Sequence, residues 1–139
     1  MKVREAMAKT ISTARPGDTI KHVAQLMKKE DTGFIPVIDG DKPLGVITDR
    51  DIVIRCVAEG NGNIGDQKVE GCMTKSAATV EADADLQEAA KMMESQEIRR
   101  LVVVEKGKVV GVLSHGNLVQ ATDSEGAGDR ATLGVTRGA

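Results

Sequence analysis

The stretch "GVITDRD", residues 45–51, returns as "GVLSHGN", residues 111–117, and this repetition is the strongest indication of the architecture. The same spacing of 66 positions aligns the rest of the chain without a gap. The aligned pairs include Val3 with Val69, Met7 with Met73, Met27 with Met93, Val37 with Val103 and Gly45 with Gly111. Self-similarity of this extent predicts one structural unit used twice. We predict repeats at 1–62 and 63–125. The sequence loses its periodicity after the helix residue Ala121, and we assign residues 126–139 to a flexible Gly-rich tail.

Both repeats carry the same order of predicted elements. A short strand, at 10–12 and at 76–78, leads through a polar turn into an amphipathic helix. The apolar residues at helical spacing are Ile20, Val23, Ala24 and Met27 in the first helix, after a predicted N-cap at Asp18, and Leu86, Ala89, Ala90 and Met93 in the second. Two aliphatic runs around a Gly/Asp turn predict a hairpin, and another helix follows Thr48 and Ser114.

The resulting β-α-β-β-α order predicts an α/β (α+β) fold. A unit of about 60 residues buries too little surface to be stable alone. We therefore expect the two repeats to pack through their sheets with pseudo-two-fold symmetry.

Composition narrows the classes of function. The chain has 139 residues, of which 40% are hydrophobic and 29% charged, with a net charge of −2. This charge gives no field that would attract nucleic acid or an anionic membrane. With one Phe and no Trp or Tyr, the chain also lacks a stacking platform for single strands. No apolar run suits a signal peptide or a bilayer span, so we predict a cytoplasmic protein with neither nucleic acid nor membrane as partner.

The reactive side chains do not form a recognisable catalytic or metal-binding pattern. Cys56 and Cys72 do not form a CxxC pair, so we expect two reduced, buried thiols. His22 and His115 have no ligands at metal spacing, and we predict no metal site. Because no nucleophile–base pair stands at a defensible spacing, we predict a protein that is not an enzyme.

The repeated "TDRD" stretch has two interpretations. Thr48 and Asp51, three residues apart, are spaced as a capping box at a helix start, where a carboxylate also suits the helix dipole. The same geometry offers N–H groups and a hydroxyl to a phosphate, and a carboxylate to the hydroxyls of a ribose. In the second repeat these positions hold Ser114 and Asn117, which predict a weaker box or a weaker second site.

The ordered stretches "TIKHVAQLM", "FIPVID" and "PLGVITDRDI", repeated as "DLQEAAKMM", "RLVVVE" and "VVGVLSHGNL", resemble a tandem CBS-domain pair, or Bateman module, over residues 3–122. The stretch "TDRDIV" in the first repeat is similar to that of small stand-alone CBS-domain proteins. The resemblance implies a non-catalytic regulatory and signalling module without an obligate cofactor. Its ligand would be an adenosine compound (AMP, ADP, ATP, S-adenosylmethionine or an NAD-type molecule), held in the cleft between the repeats. The alternative is a ligand-free structural or dimerisation module that regulates a partner protein.

The family motif carries roles onto particular residues of this chain. Thr48 would contact phosphate and Asp51 would contact ribose. The resemblance further implies adenine contacts at Thr10 and Ile11, base-pocket residues at Phe34, Ile35 and Pro36, and phosphate contacts from the opposite repeat at Arg99 and Arg100. Arg50 is a candidate phosphate contact, or equally a solvated surface residue. The resemblance also implies a homodimeric disk, formed through the apolar side of "DIVIRCVA", and an effector protein that it does not identify.

Overall fold

A computed structural model describes residues 1–60 and 62–125 and confirms the mixed α/β class. The predicted tail, 126–139, lies outside the described residues. The elements are α1 (Val3–Ala6), α2 (Ile20–Glu30), β1 (Phe34–Asp39), β2 (Lys42–Thr48), α3 (Asp49–Asp51, continued by a π-helix at Ile52–Ala58), 3-10 turns at Ile64–Asp66 and Val69–Gly71, β3 (Thr74–Lys75), β4 (Thr79–Glu81), α4 (Leu86–Gln96), β5 (Arg100–Glu105), β6 (Lys108–Ser114) and α5 (His115–Glu125). Because α5 runs to Glu125, residues 122–125 are helical and do not belong to a tail that begins after Ala121.

The strands form two three-stranded sheets, ordered β1-β2-β3 and β4-β5-β6. They belong to two compact units. The first unit is Ile11–Ala77, and the second unit combines Met1–Thr10 with the described chain from Ala78 onward. The compact units therefore differ from the predicted repeats, 1–62 and 63–125, in the segment at the start of each repeat. Residues 1–10 belong to the second unit, and residues 63–77 belong to the first.

Each leading segment pairs with the outer strand of a hairpin. In the first unit β3 runs antiparallel to β2, with Thr74 opposite Val46. In the second unit Ala8 forms an antiparallel bridge to Val112, which is the same pair displaced by 66 positions. Because an edge strand exposes unpaired N–H and C=O groups, this pairing protects the outer strand of both hairpins.

The first strand of each repeat lies further along the chain than predicted. In the second unit it is β4, parallel to β5, whereas the first unit has only a bridge between Ala14 and Val37. The difference has a local cause. Ala82 donates its N–H to the Val104 carbonyl next to β4, but the matching residue in the first repeat is Pro16, which has no N–H to donate.

Helix α2 also begins differently from its prediction. Thr19, not Asp18, is the N-cap, because its Oγ1 accepts the His22 N–H at 3.2 Å. The Asp18 carboxylate instead accepts the Arg15 N–H at 2.8 Å and closes the turn that precedes the helix. Ala24 is exposed rather than buried, while the other three predicted apolar residues of this helix lie in the core.

Each unit has its own aliphatic core. The core of the first unit includes Ala14, Ile20, Val23, Met27, Ile35, Val37, Ile47, Val69 and Met73. The core of the second unit includes Val3, Val80, Leu86, Ala89, Ala90, Met93, Leu101, Val103, Leu113 and Leu118. In both units the buried face of one long helix, α2 or α4, shares the core with the strands of the hairpin.

An ion-pair cluster in the second unit predicts a pH-dependent contribution to stability. Arg4 lies 2.7 Å from Asp83 and 2.8 Å from Glu105, and its hydrogen bonds lower the pKa of both carboxyls below their usual 3.8 and 4.5. A lowered folded-state pKa stabilises the fold above the unfolded value, and this contribution is lost as pH falls through the folded one. We expect Arg4→Ala to lower the melting temperature slightly at neutral pH, and this difference to vanish in acid. A difference that persists throughout a pH series of melting curves would instead indicate packing of the arginine stem.

Candidate functional site

The chain leaves β2 at Thr48 and enters helix α3 within one residue, as predicted. Thr48 has an extended backbone, and its Oγ1 accepts the Asp51 N–H at 3.1 Å. In return, Oδ2 of Asp51 accepts the Thr48 N–H at 3.0 Å. This is the reciprocal capping box, so the structural interpretation of "TDRD" is realised. Phe34 stands opposite Thr48 in the β1–β2 ladder and is half-buried beside this helix start.

The second repeat forms the same box without a carboxylate. The Asn117 N–H donates to Ser114 Oγ at 3.0 Å, and the Ser114 N–H donates to Asn117 Oδ1 at 3.0 Å. The two boxes have the same hydrogen-bond geometry, so an asparagine can take the place of the aspartate in this cap. Capping therefore needs only one side-chain oxygen, and the second carboxylate oxygen of Asp51 is not explained by it.

The carboxylate of Asp51 has a further partner that sequence reasoning missed. Oγ1 of Thr74, at the start of β3, lies 3.1 Å from Oδ1 and 3.2 Å from Oδ2 of Asp51, so that its hydroxyl donates between the two oxygens. The Arg55 guanidinium donates to the Met73 carbonyl, and its Nε lies 4.0 Å from Asp51 Oδ1. The Asp51 side chain is 12% exposed, so it is not completely closed off from solvent.

Cys56 and Cys72 form a disulfide, with their Cα atoms 6.1 Å apart. The prediction of two reduced thiols is therefore wrong, although both residues are buried as expected. The pairing depends on the chain folding back after the turn at Val69–Gly71, which lays residues 72–74 along the helix that follows Asp51. A separation of 16 residues in sequence gives no sign of this contact.

The remaining predicted site residues lie in different surroundings. In the first unit, Ile35 lies in the core, Pro36 is buried, and Arg50 is exposed, with its N–H on the Asp49 carboxylate. Ile11 begins the first unit and is half-buried. The structure brings Thr48, Asp51 and Phe34 together, whereas Thr10, Arg99 and Arg100 belong to the second unit, where they are exposed. Their roles in binding stay predictions.

Comparison with known proteins defines the class. The CBS-domain family model matches residues 3–57 and 69–124, so the chain belongs to the CBS-domain family as a tandem pair. It is 33% identical over 131 residues to the CBS domain-containing protein YhcV of Bacillus subtilis, covering 94% of this chain and 92% of that protein.

Two solved structures share the fold over nearly their whole length. A protein with CBS domains from Burkholderia ambifaria MC40-6 has a TM-score of 0.79 and 26% identity, covering 91% of this chain and 96% of the other. CBSX2, solved in complex with AMP, has a TM-score of 0.77 and 25% identity, with coverage of 89% and 97%. Tandem CBS pairs of this kind are regulatory modules.

The described residues also bear on other classes of site. None of the helices found in residues 1–60 and 62–125 combines the length and apolar character of a bilayer span. Within the same ranges no three His, Cys, Asp or Glu side chains come together in a way that could hold a metal ion. His115 is buried at the start of α5, and its N–H donates to the Arg99 carbonyl at 2.7 Å.

Proposed function

We propose that this CBS pair is a non-catalytic regulatory module that binds an adenosine nucleotide, with Asp51 holding the ribose. The observation that carries the proposal is the pair of capping boxes: Asn117 makes the same hydrogen bonds at its helix start as Asp51 does, yet the first repeat has a carboxylate there. A carboxylate has about four acceptor positions. The Thr48 N–H takes one position on Oδ2, and the Thr74 hydroxyl is shared between the two oxygens, with Arg55 Nε 4.0 Å from Oδ1. The acceptor capacity that remains on the carboxylate can receive hydroxyls of a ribose.

The helix start also suits the phosphate side of such a ligand. Thr48 Oγ1 accepts the Asp51 N–H and retains its own O–H, which can donate to a phosphate oxygen. Asp49 and Asp51 place two carboxylates in this turn, so a phosphate here needs a neighbouring cation. Arg50, exposed in the same turn, supplies one, and we retain Arg99 and Arg100 as further candidates. The AMP complex of CBSX2 supports the adenosine class of ligand.

Exposed apolar side chains support self-association as part of the same proposal. Val53, Ile54 and Val57 are 56%, 40% and 51% exposed on the π-helix that follows Asp51. Association of two copies through this helix would remove these side chains from water. The homodimer, its effector protein and a cytoplasmic location stay predictions.

The test is a thermal-shift panel with AMP, ADP, ATP, S-adenosylmethionine, NAD and GMP on the wild type and Asp51→Asn. The asparagine variant is a matched one, because Asn117 shows that asparagine preserves the capping box. A ligand at 100 times its Kd adds about 2.7 kcal/mol of stability. We expect an adenosine compound to raise the Tm of the wild type by several degrees, and Asp51→Asn to lose most of that shift.

Asn117→Ser is the control, because it alters the matching position of the other repeat. Because any site at Ser114 and Asn117 is predicted to be the weaker one, this variant should retain most of the shift of the wild type. If no compound shifts the wild type, nucleotide binding is refuted and the ligand-free structural module that regulates a partner remains. If Asp51→Asn responds like the wild type, the role of the Asp51 carboxylate in holding the ribose is refuted.

A further inference from the structure

We propose that Thr74 is a positioning residue that fixes the Asp51 carboxylate for a ribose diol, and that the Cys56–Cys72 disulfide braces the segment that carries it. This inference rests on the proposed function and extends it from one carboxylate to the segment behind it. Residues 72–74 form what we call the clamp. Its three residues hold three residues of the helix: Cys72 bonds to Cys56, the Met73 carbonyl accepts from Arg55, and the Thr74 hydroxyl donates to Asp51.

The contact with Thr74 controls the torsion that an aspartate leaves loose. The terminal torsion of an aspartate is broad and roughly two-fold, so a carboxylate held by one hydrogen bond can still rotate. The Thr48 N–H holds only Oδ2, whereas the Thr74 hydroxyl lies between both oxygens at 3.1 and 3.2 Å. Together they fix the plane of the carboxylate. A ribose diol, which needs two acceptors at a set separation, then meets a preorganised partner.

Comparison with the second unit shows whether the fold by itself requires the clamp. Displaced by 66 positions, the clamp residues Cys72 and Thr74 correspond to Ala6 and Ala8, neither of which can make the same bonds. Their helix partners Cys56, Arg55 and Asp51 correspond to Thr122, Ala121 and Asn117. The Thr122 hydroxyl donates instead to the Leu118 carbonyl of its own helix, at 2.9 Å.

The second unit thus builds the same strand, hairpin and capped helix without the clamp. If the fold itself required the clamp, both units would need it. The clamp instead occurs together with the carboxylate at the helix start, which the second unit also lacks. We therefore assign it to the function of Asp51.

The disulfide acts as a fixed brace and not as a switch. Both cysteines are only 1% exposed, and thiol–disulfide exchange requires access to a sulfur atom. The bond keeps residues 72–74 against the helix, which keeps the Thr74 hydroxyl within reach of Asp51. The positioning of the carboxylate is then independent of fluctuations in a short two-residue strand.

The test compares ribose and deoxyribose ligands. Affinities for AMP and ATP, each against its 2′-deoxy counterpart, are measured by titration calorimetry for the wild type, Thr74→Val and Thr74→Ser. A site that hydrogen-bonds a hydroxyl rejects an analogue that lacks it. We expect the wild type to favour the ribose form at least tenfold. Thr74→Val should lose about tenfold in affinity for it and much of the preference, and Thr74→Ser, which keeps the hydroxyl, should restore both.

A purely structural role for Thr74 would produce a different result. Thr74→Val would then weaken ribose and deoxyribose forms equally, or neither, and the positioning role would be refuted. The Cys56→Ala, Cys72→Ala double variant tests the brace, and it should also reduce the preference for ribose. An unchanged preference in this variant would overturn the role of the disulfide.

A further measurement separates this inference from the proposed function. If the wild type binds none of these ligands, the ribose site itself is refuted. The contact is then examined without ligand, from the Tm of Asp51→Asn, Thr74→Val and the combined variant. We expect the combined loss in Tm to be smaller than the sum of the two, because the residues share one hydrogen bond. Additive losses would show that Thr74 does not act through Asp51.

Discussion

Replacing Gly45, the glycine of strand β2, by alanine is expected to destabilise the first unit strongly. A β-carbon at this position would collide with the backbone carbonyl of Thr74, which β3 holds in the ladder with β2. Because the obstacle is backbone, no side-chain rotation relieves it. Overpacking commonly costs about 1–3 kcal/mol and occasionally more, and we expect about 3 kcal/mol or above here.

The control is Gly71→Ala, where an added β-carbon meets nothing within 4 Å. Urea unfolding followed by far-ultraviolet circular dichroism gives the free energy of unfolding of each variant. Gly71→Ala should change it by less than about 1 kcal/mol. If Gly45→Ala lowers the free energy of unfolding as little as Gly71→Ala does, β3 can move away from the added β-carbon, and the contact with Thr74 does not require a glycine.

The same contact explains why both copies of the opening stretch keep their glycine. In the second unit a β-carbon on Gly111 would lie 2.6 Å from the Ala8 carbonyl oxygen. Both glycines therefore serve the pairing of a leading segment with the outer hairpin strand. The glycines are thus explained by strand pairing alone, without a ligand. Capping does not explain why the first repeat has Asp51 where the second has Asn117, because both residues cap their helix.

Local patterns in the sequence were sufficient to predict the elements that local chemistry controls. The hairpins follow from apolar runs around a Gly turn, and Gly40 has a φ of 63° while Lys106 and Gly107 have φ of 52° and 77°. The helix starts after Thr48 and Ser114 follow from side-chain capping within three residues. Such features depend on residues that are close together in the sequence, so they can be predicted from the sequence alone.

Contacts made over longer separations left no local signal. The pairing of residues 1–10 within the second unit depends on backbone groups, which every residue except proline offers. Thr74 could have been found only by aligning it with Ala8 and asking why a hydroxyl accompanies the carboxylate of Asp51. The spacing of Cys56 and Cys72 does not indicate the disulfide, whereas the repeat does: the matching residues are Ala6 and Thr122, so both cysteines are absent together from the second repeat.

Loss of the disulfide is expected to lower the stability of the first unit by an amount comparable to that of Gly45→Ala. The Cys56–Cys72 bond closes a loop with a sequence separation of 16. In the chain-entropy description, closing a loop of about 15 residues removes about 3 kcal/mol of freedom from the unfolded state. For a chain of this size that corresponds to a fall in Tm of about 10 °C in the Cys56→Ala, Cys72→Ala double variant.

Calorimetry with and without a dithiol reductant provides the measurement, and alkylation followed by mass spectrometry provides the control. The wild type, denatured without reductant, should show no alkylated cysteine, and after reduction it should show two. Because the disulfide is buried, a dithiol can reach it only after the protein has been denatured. The wild type that has been reduced in denaturant and then refolded should therefore have a lower Tm. The double variant should be insensitive to reductant. Two alkylated cysteines before reduction, together with a Tm equal to that of the double variant, would show that the thiols are free and that packing alone holds the clamp.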